Sequence, residues 1–206
     1  MSIIRPFKGI RPRADLASAI ATLPYDVYNS EEAREIVAAE PKSFLQIDRA
    51  ETLLPKGTNP YSEAVYKTAS ETLNRMIDEG SFLQDKEPCY YLYALTMNGR
   101  TQTGLVGCAS IDDYCNNVIL KHENTLEAKE QDRIRHIDAC SAQTGPIFLA
   151  YRADKKLGEI IKNVRLTPEV YDFTSDDGIR HEVWRIDKMS TIVDISKIFE
   201  AIPHLY

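Results

Sequence analysis

Cys89-Tyr90-Tyr91-Leu92-Tyr93-Ala94-Leu95-Thr96-Met97-Asn98-Gly99-Arg100-Thr101-Gln102-Thr103-Gly104-Leu105-Val106 reads as a β-hairpin. The first half is rich in aromatic and apolar residues, which suit a pleated, half-buried surface. Asn98-Gly99 is the favoured two-residue turn, because both positions tolerate the positive φ that strand twist demands. The return strand is expected over residues 101–111, with Gly104 and Gly107 as candidate bulges.

Downstream of the hairpin, Val118 to Leu120 is a short strand candidate and a capped helix is expected from about Thr125 to Ser141. Pro146 to Tyr151 reads as a buried strand, Asp154 to Val164 as a helix and Glu169 to Phe173 as a strand. Asp176-Asp177-Gly178 is a tight turn into a strand over His181 to Ile186, and a last helix covers about Thr191 to Ala201.

Upstream, Ile3 to Ile10 reads as a strand, Asp15 to Ala21 as a short helix, and Leu23 to Val27 as extended, because a residue before proline avoids the helical region. Asn29, with Glu32 three residues on, forms a capping box for a helix that ends before Pro41. Phe44 to Asp48 alternates apolar and polar residues, as a strand does. A long helix is expected over Pro60 to Glu79, with Asn59 capping, Pro60 in the first turn and Gly80 closing it. Tyr61, Val65, Ala69, Leu73, Met76 and Ile77 form its apolar stripe. The expected fold class is α+β, a mixed and largely antiparallel sheet with packed helices. Two subdomains are expected, over about residues 1–85 and 86–206.

The 206 residues are ample to bury a core, and 43% apolar with 27% charged residues argues against disorder. A net charge of −6, with no basic run longer than two, disfavours nucleic acid as a partner, since phosphate binding relies on clustered Lys and Arg. No stretch approaches the roughly 20 apolar residues of a membrane helix, and the N-terminus has no signal-peptide core. The expected location is cytoplasmic, with no membrane partner. Cys89, Cys108, Cys115 and Cys140 lack a C-x-x-C pair, so they read as buried free thiols rather than a metal site. A homodimer is compatible with this composition.

Lys121-His122-Glu123-Asn124-Thr125-Leu126-Glu127 is the richest segment for chemistry. It opens a helix, with Asn124 placed to cap and Glu127 to complete a capping box. A helix N-terminus favours anions, so Lys121, Asn124 and Thr125 are candidate anion contacts. His122 and Glu123 are the candidate acid/base pair, and Glu123 could also serve as a magnesium ligand. The plain alternative is a well-capped surface helix. Lys129 and Arg133 share a face of it, and Arg133 is a further candidate anion contact. His136 has charged neighbours and reads as a surface residue.

Asp26 in Pro24-Tyr25-Asp26-Val27 is a loop carboxylate able to orient a hydroxyl or hold a cation, although Asp and Pro are also ordinary turn residues. On the strand Arg180 to Arg185, His181, Val183 and Arg185 share one face. Arg180 and His181 are candidates for binding phosphate, with an edge strand bearing solvated charges as the alternative. Neither H-E-x-x-H nor any phosphate-loop or nucleophile-elbow motif is present.

Together these segments resemble the domain of unknown function 1015 family. The matching pieces are Arg5-Pro6-Phe7, Pro24-Tyr25-Asp26-Val27, Ser30-Glu31-Glu32-Ala33-Arg34, His122-Glu123-Asn124-Thr125-Leu126, Asp132-Arg133, Pro146-Ile147-Phe148-Leu149-Ala150-Tyr151, and Asp177-Gly178-Ile179-Arg180-His181-Glu182-Val183-Trp184-Arg185. They occur in the family's order along essentially the whole chain. Leu23 and Asn124 depart from the family's usual residues.

The resemblance implies a chain about twice as long, of which this is the N-terminal portion, continuing after Tyr206 into Ile-Ala-Asp-Gly-His-His-Arg. That segment is similar to the nucleotide-handling motif of ParB-like free serine kinases. The implied function is a nucleotide-dependent phosphotransferase, with ATP and magnesium as cofactors and a small anionic metabolite or nucleotide as partner. His122, Glu123 and Arg133 would contribute from this half. The alternative is a non-catalytic module that binds a metabolite or regulatory partner; ParB-like DNA binding is disfavoured by the acidic balance.

Overall fold

The computed structural model describes residues 1–121 and 126–206. In chain order the elements are β1 (Ile4–Arg5), β2 (Ile10–Pro12), α1 (Ala17–Ile20), α2 (Ser30–Ala39), α3 (Leu45–Asp48), α4 (Glu63–Asp78), β3 (Phe82–Gln84), β4 (Tyr90–Met97), β5 (Arg100–Val106) and β6 (Cys108–Ala109). They continue with α5 (Ile111–Cys115), α6 (Glu127–Cys140), α7 (Lys155–Val164), β7 (Tyr171–Thr174), β8 (Arg180–Ile186) and α8 (Met189–Ala201). The protein is α+β. It divides into two compact units, the first from the described residues of 1–14, 84–123 and 148–206, the second from those of 15–83 and 124–147.

The first unit is built on the antiparallel sheet β5-β4-β8-β7. Asn98 and Gly99 take φ of 51° and 76°, the left-handed pair that a tight hairpin requires. The register then runs unbroken from Met97↔Arg100 to Tyr91↔Val106, so Gly104, opposite Tyr93, is no bulge. Gly107 follows the strand at a position that only glycine fits, since a Cβ there would lie 2.8 Å from Ile4 Cγ2 and 2.9 Å from Tyr90 Cε1. One face of the sheet carries Tyr90, Leu92, Ala94, Trp184 and Ile186, buried with Leu157 of α7 and Ile195 and Phe199 of α8. β8 pairs with both β4 and β7, which makes it an interior strand rather than the solvated edge the sequence suggested.

Other expectations for this unit change in detail. The N-terminal strand is broken: β1 pairs with β6, and Phe7 bridges Cys89. Pro146 to Tyr151 is no buried strand, since Ile147 and Phe148 are 78% and 71% exposed. Only Ala150 pairs there, exchanging two backbone bonds with Tyr206, while Leu205 bonds Val118 and Leu120 on its other side. Cys108 and Cys115 are exposed, so only Cys89 and Cys140 fit the buried-thiol reading.

The second unit is helical. Val65, Ala69, Leu73 and Met76 of α4 pack with Ile20, Ile47, Phe82 and Cys140. α4 starts at Glu63, later than its proline suggested, while Gly80 takes the expected left-handed turn at φ 73° and Ser81 N–H bonds Met76 O. α2 has the complete Asn29–Glu32 capping box. Phe44 to Asp48 is helical, not a strand: four residues are too few for a period to separate the two, and Ile47 and Leu45 are both buried. Tyr25 and Asp26 form a turn, closed by Val27 N–H on Pro24 O, rather than extended chain.

Candidate functional site

Within the second unit, α3, α4, α6 and the loop at Tyr25 enclose a cavity of about 200 Å³. Its lining includes Asp48, Arg49, Glu51, Asp132, Arg133 and His136, with Tyr25, Tyr61 and Tyr66 around them. Six ionisable groups on one small cavity are costly to desolvate, and the arrangement offsets that cost by pairing them.

The 3.6-residue period of α6 sets Asp132, Arg133 and His136 on one side of that helix. Asp132 is buried, and both its oxygens are used. Oδ1 accepts the Tyr66 hydroxyl at 2.8 Å, and Oδ2 accepts Arg133 Nε and a terminal guanidinium nitrogen at 3.0 and 2.7 Å. Burial and this carboxylate push the Tyr66 phenol up to about 12. The Arg133 guanidinium also lies over the Tyr25 ring, 4.2 Å from its centre. Fixed from two sides, Arg133 is held rigidly at the wall.

His136 is only 2% exposed, which corrects the surface reading. Its Nε2 donates to Ile47 O at 3.1 Å, a carbonyl that can only accept. Sequence spacing gave no sign of this, since the partner is a backbone atom on a distant helix.

Arg49 Nε pairs with Glu51 Oε1 at 2.8 Å, and another guanidinium nitrogen donates to Ser30 Oγ at 2.9 Å. Arg34, one turn along α2, donates to the carbonyls of Glu51, Thr52, Leu54 and Pro55. The segment Ser30 to Arg34 therefore does a definite job: it fixes the turn that carries Arg49 and Glu51.

Asp48 stands apart from these pairs. Its Oδ1 is buried and has no hydrogen-bond partner among the described residues. A terminal nitrogen of Arg133 lies 3.9 Å away and His136 Nε2 4.0 Å away. Burial raises this carboxyl above its ordinary value, against the opposing pull of Thr144, His136 and Arg133.

Of the residues singled out from sequence, Arg133 lines the cavity. Asp26 is exposed, and it is its neighbour Tyr25 that reaches the cavity. Lys121 in the first unit sits over the Tyr114 ring at 4.1 Å. Arg180 is tied to Asp172 by two bonds of 2.7 Å and approaches Glu182 at 3.3 Å. His181 is stacked on Phe173, and its ring nitrogens meet Tyr93 OH at 2.7 Å and Ser175 Oγ at 2.9 Å. Burial lowers its pKa. Arg180 and His181 are thus both held by protein partners.

His122, Glu123, Asn124 and Thr125 lie outside the described residues. α6 begins at Glu127 with Leu126 in the capping position and no side-chain cap, so its start falls later than the expected Asn124 cap. Glu127 and Glu130 already complement the positive end of that helix. Among the described residues, no group of three His, Cys, Asp or Glu side chains is placed to hold a metal ion, and no helix is long and apolar enough to cross a membrane.

Of the residues at the cavity, Tyr25 comes from Pro24-Tyr25-Asp26-Val27 and Asp132 and Arg133 from α6, while Ser30 and Arg34 of α2 brace the turn that carries Arg49 and Glu51. Neither the curated proteins nor the solved structures contain a match. The family described as "protein of unknown function (DUF1015)" matches residues 4–206, and this chain belongs to it.

Proposed function

We propose that this chain is the metabolite-binding portion of a nucleotide-dependent, phosphotransferase-like enzyme, and that the acceptor is a small hydroxylated compound bound in the cavity of the second unit. The observation that carries the reading is that cavity, in which six acidic and basic side chains converge and one buried carboxylate oxygen, Asp48 Oδ1, has no hydrogen-bond partner among the described residues. A functional site is where a perturbed, buried titratable group in a cleft is expected. At about 200 Å³ the cavity is smaller than the roughly 300–1,000 Å³ of drug-sized sites, which suits a small metabolite.

In this reading His122 and Glu123 act as the acid/base pair, and Lys121, Asn124 and Thr125 contact phosphate oxygens of the nucleotide. ATP is the phosphoryl donor and a co-substrate. Magnesium enters on its phosphates. The second reading is a non-catalytic module that binds a metabolite or a regulatory partner, favoured by the contacts of Asp132 with Tyr66 and Arg133 and of Arg49 with Glu51, which need no reaction to explain them.

The portion is not competent alone in this reading, so the test is phosphoryl transfer by the full-length protein from ATP with magnesium to a panel of small hydroxylated metabolites, serine among them, followed by phosphorus NMR. His122→Ala and Glu123→Ala are each expected to lower turnover by roughly 100-fold or more. Full activity in both variants refutes the catalytic assignment. Calorimetric binding of a panel member, with no turnover, selects the module.

A further inference from the structure

We propose that the ligand of this cavity carries a protonated primary amine and that Asp48 is its counter-ion. The inference rests on the cavity being a metabolite site, and it follows from the charges already on its walls. Three carboxylates, Asp48, Glu51 and Asp132, face two guanidinium groups, Arg49 and Arg133. Each guanidinium already has a carboxylate in contact, Arg49 with Glu51 at 2.8 Å and Arg133 with Asp132 at 2.7 Å. The carboxylate left over is Asp48, whose side chain is 11% exposed and whose Oδ1 has no hydrogen-bond partner among the described residues.

Neither neighbouring basic side chain fills the gap. Arg133 stands at 3.9 Å and is held back by Asp132 and by the Tyr25 ring. His136 stands at 4.0 Å with its Nε2 proton directed to Ile47 O. Both distances are beyond hydrogen-bond range.

An anionic ligand would enter a cavity where carboxylates outnumber guanidinium groups and each guanidinium group already forms an ion pair with a carboxylate, although Arg49 Nε makes no aligned hydrogen bond. A cation meets the opposite situation: it neutralises the surplus charge and supplies the donor that Oδ1 lacks. A quaternary ammonium group is a poor match, because it has no N–H to donate and the Tyr25 face is already taken by Arg133. An ammonium group with three N–H donors fits.

The experiment compares matched probes that differ only at the amine: ethanolamine against ethylene glycol, and serine against glycerate. Affinities are measured by calorimetry or NMR titration. In the unaltered protein the amine-bearing member of each pair is expected to bind roughly tenfold tighter or more. Asp48→Asn keeps the side-chain shape and is expected to abolish that preference while the amine-free members keep their affinity. Equal binding within each pair overturns the inference and leaves the cavity as a metabolite site, as does a preference that survives Asp48→Asn. Binding of none of the four compounds overturns both. The probe comparison in the unaltered protein needs no variant, so a folding defect in Asp48→Asn does not protect the proposal.

Discussion

Removing the Asp85 carboxylate is expected to be among the most damaging single changes in the first unit. Asp85 is 6% exposed and accepts Arg11 through two nitrogens at 2.9 and 3.0 Å, Arg185 at 3.0 Å, and the Tyr91 hydroxyl. Asp85→Ala leaves a mostly buried guanidinium and a buried phenol facing an empty space. Breaking a buried pair from one side costs about 3–5 kcal/mol, a large share of the roughly 5–15 kcal/mol that stabilises a typical domain. With a urea slope of about 1–3 kcal/mol/M, the midpoint should fall by about 1–5 M. The assay is built in: Trp184 is the one tryptophan of the chain, 2% exposed in the core of this unit, so its fluorescence follows the loss. The pH dependence has a definite sign. Burial alone would raise the Asp85 carboxyl, but the hydrogen bonds from Arg11, Tyr91 and Arg185 outweigh it and hold it below its ordinary value. Its contribution is therefore complete above the unfolded aspartate value of about 3.9 and fades as pH falls through the lower folded value. The gap between the unaltered protein and Asp85→Ala should close over that acidic range. A loss under about 1 kcal/mol at neutral pH, or a gap that widens on acidification, refutes the reasoning.

Asp48→Asn should act in the opposite sense. Its folded carboxyl is raised, so the unaltered protein loses stability as pH climbs from the unfolded aspartate value through the folded one; the variant should be the more stable above that window and equal to it below, by circular dichroism melts. Gly107→Ala should cost about 1–3 kcal/mol by overpacking, read by Trp184 fluorescence in urea, because its methyl meets Ile4 and Tyr90 inside contact distance. In the native protein a thiol-specific reagent should modify the exposed Cys108 and Cys115 quickly, with Cys89 and Cys140 protected until unfolding. Burial pushes the Cys140 thiol up to about 11, which reduces its thiolate further.

The parts of the fold that were legible in the sequence are those written in local chemistry. Asn98-Gly99, Asn29 with Glu32 and Gly80 after α4 each dictate backbone over a few residues, and each forms as read. Phe44 to Asp48 was misread because burial, not period, decides a four-residue element. Pro146 to Tyr151 looks like a buried strand in composition, yet only Ala150 finds a pairing partner. The cavity was only partly legible for a related reason. Arg133 and the Tyr25 loop stand out as motifs, but Asp48, Glu51 and Tyr66 acquire meaning only through residues far away in the chain. His136 shows this most plainly, since a carbonyl 89 positions away turns an apparent surface histidine into a wall of the cavity.

Arg34 holds its loop entirely through main-chain oxygens, those of Glu51, Thr52, Leu54 and Pro55. Every amino acid supplies such an oxygen, so the grip is blind to the side chains of Thr52, Leu54 and Pro55. A saturation scan of this region should show a sharp contrast, with those three positions accepting many replacements and Arg34 accepting almost none, lysine included. The shape of the wall is thereby stored in one side chain, and the loop around it is left free to vary.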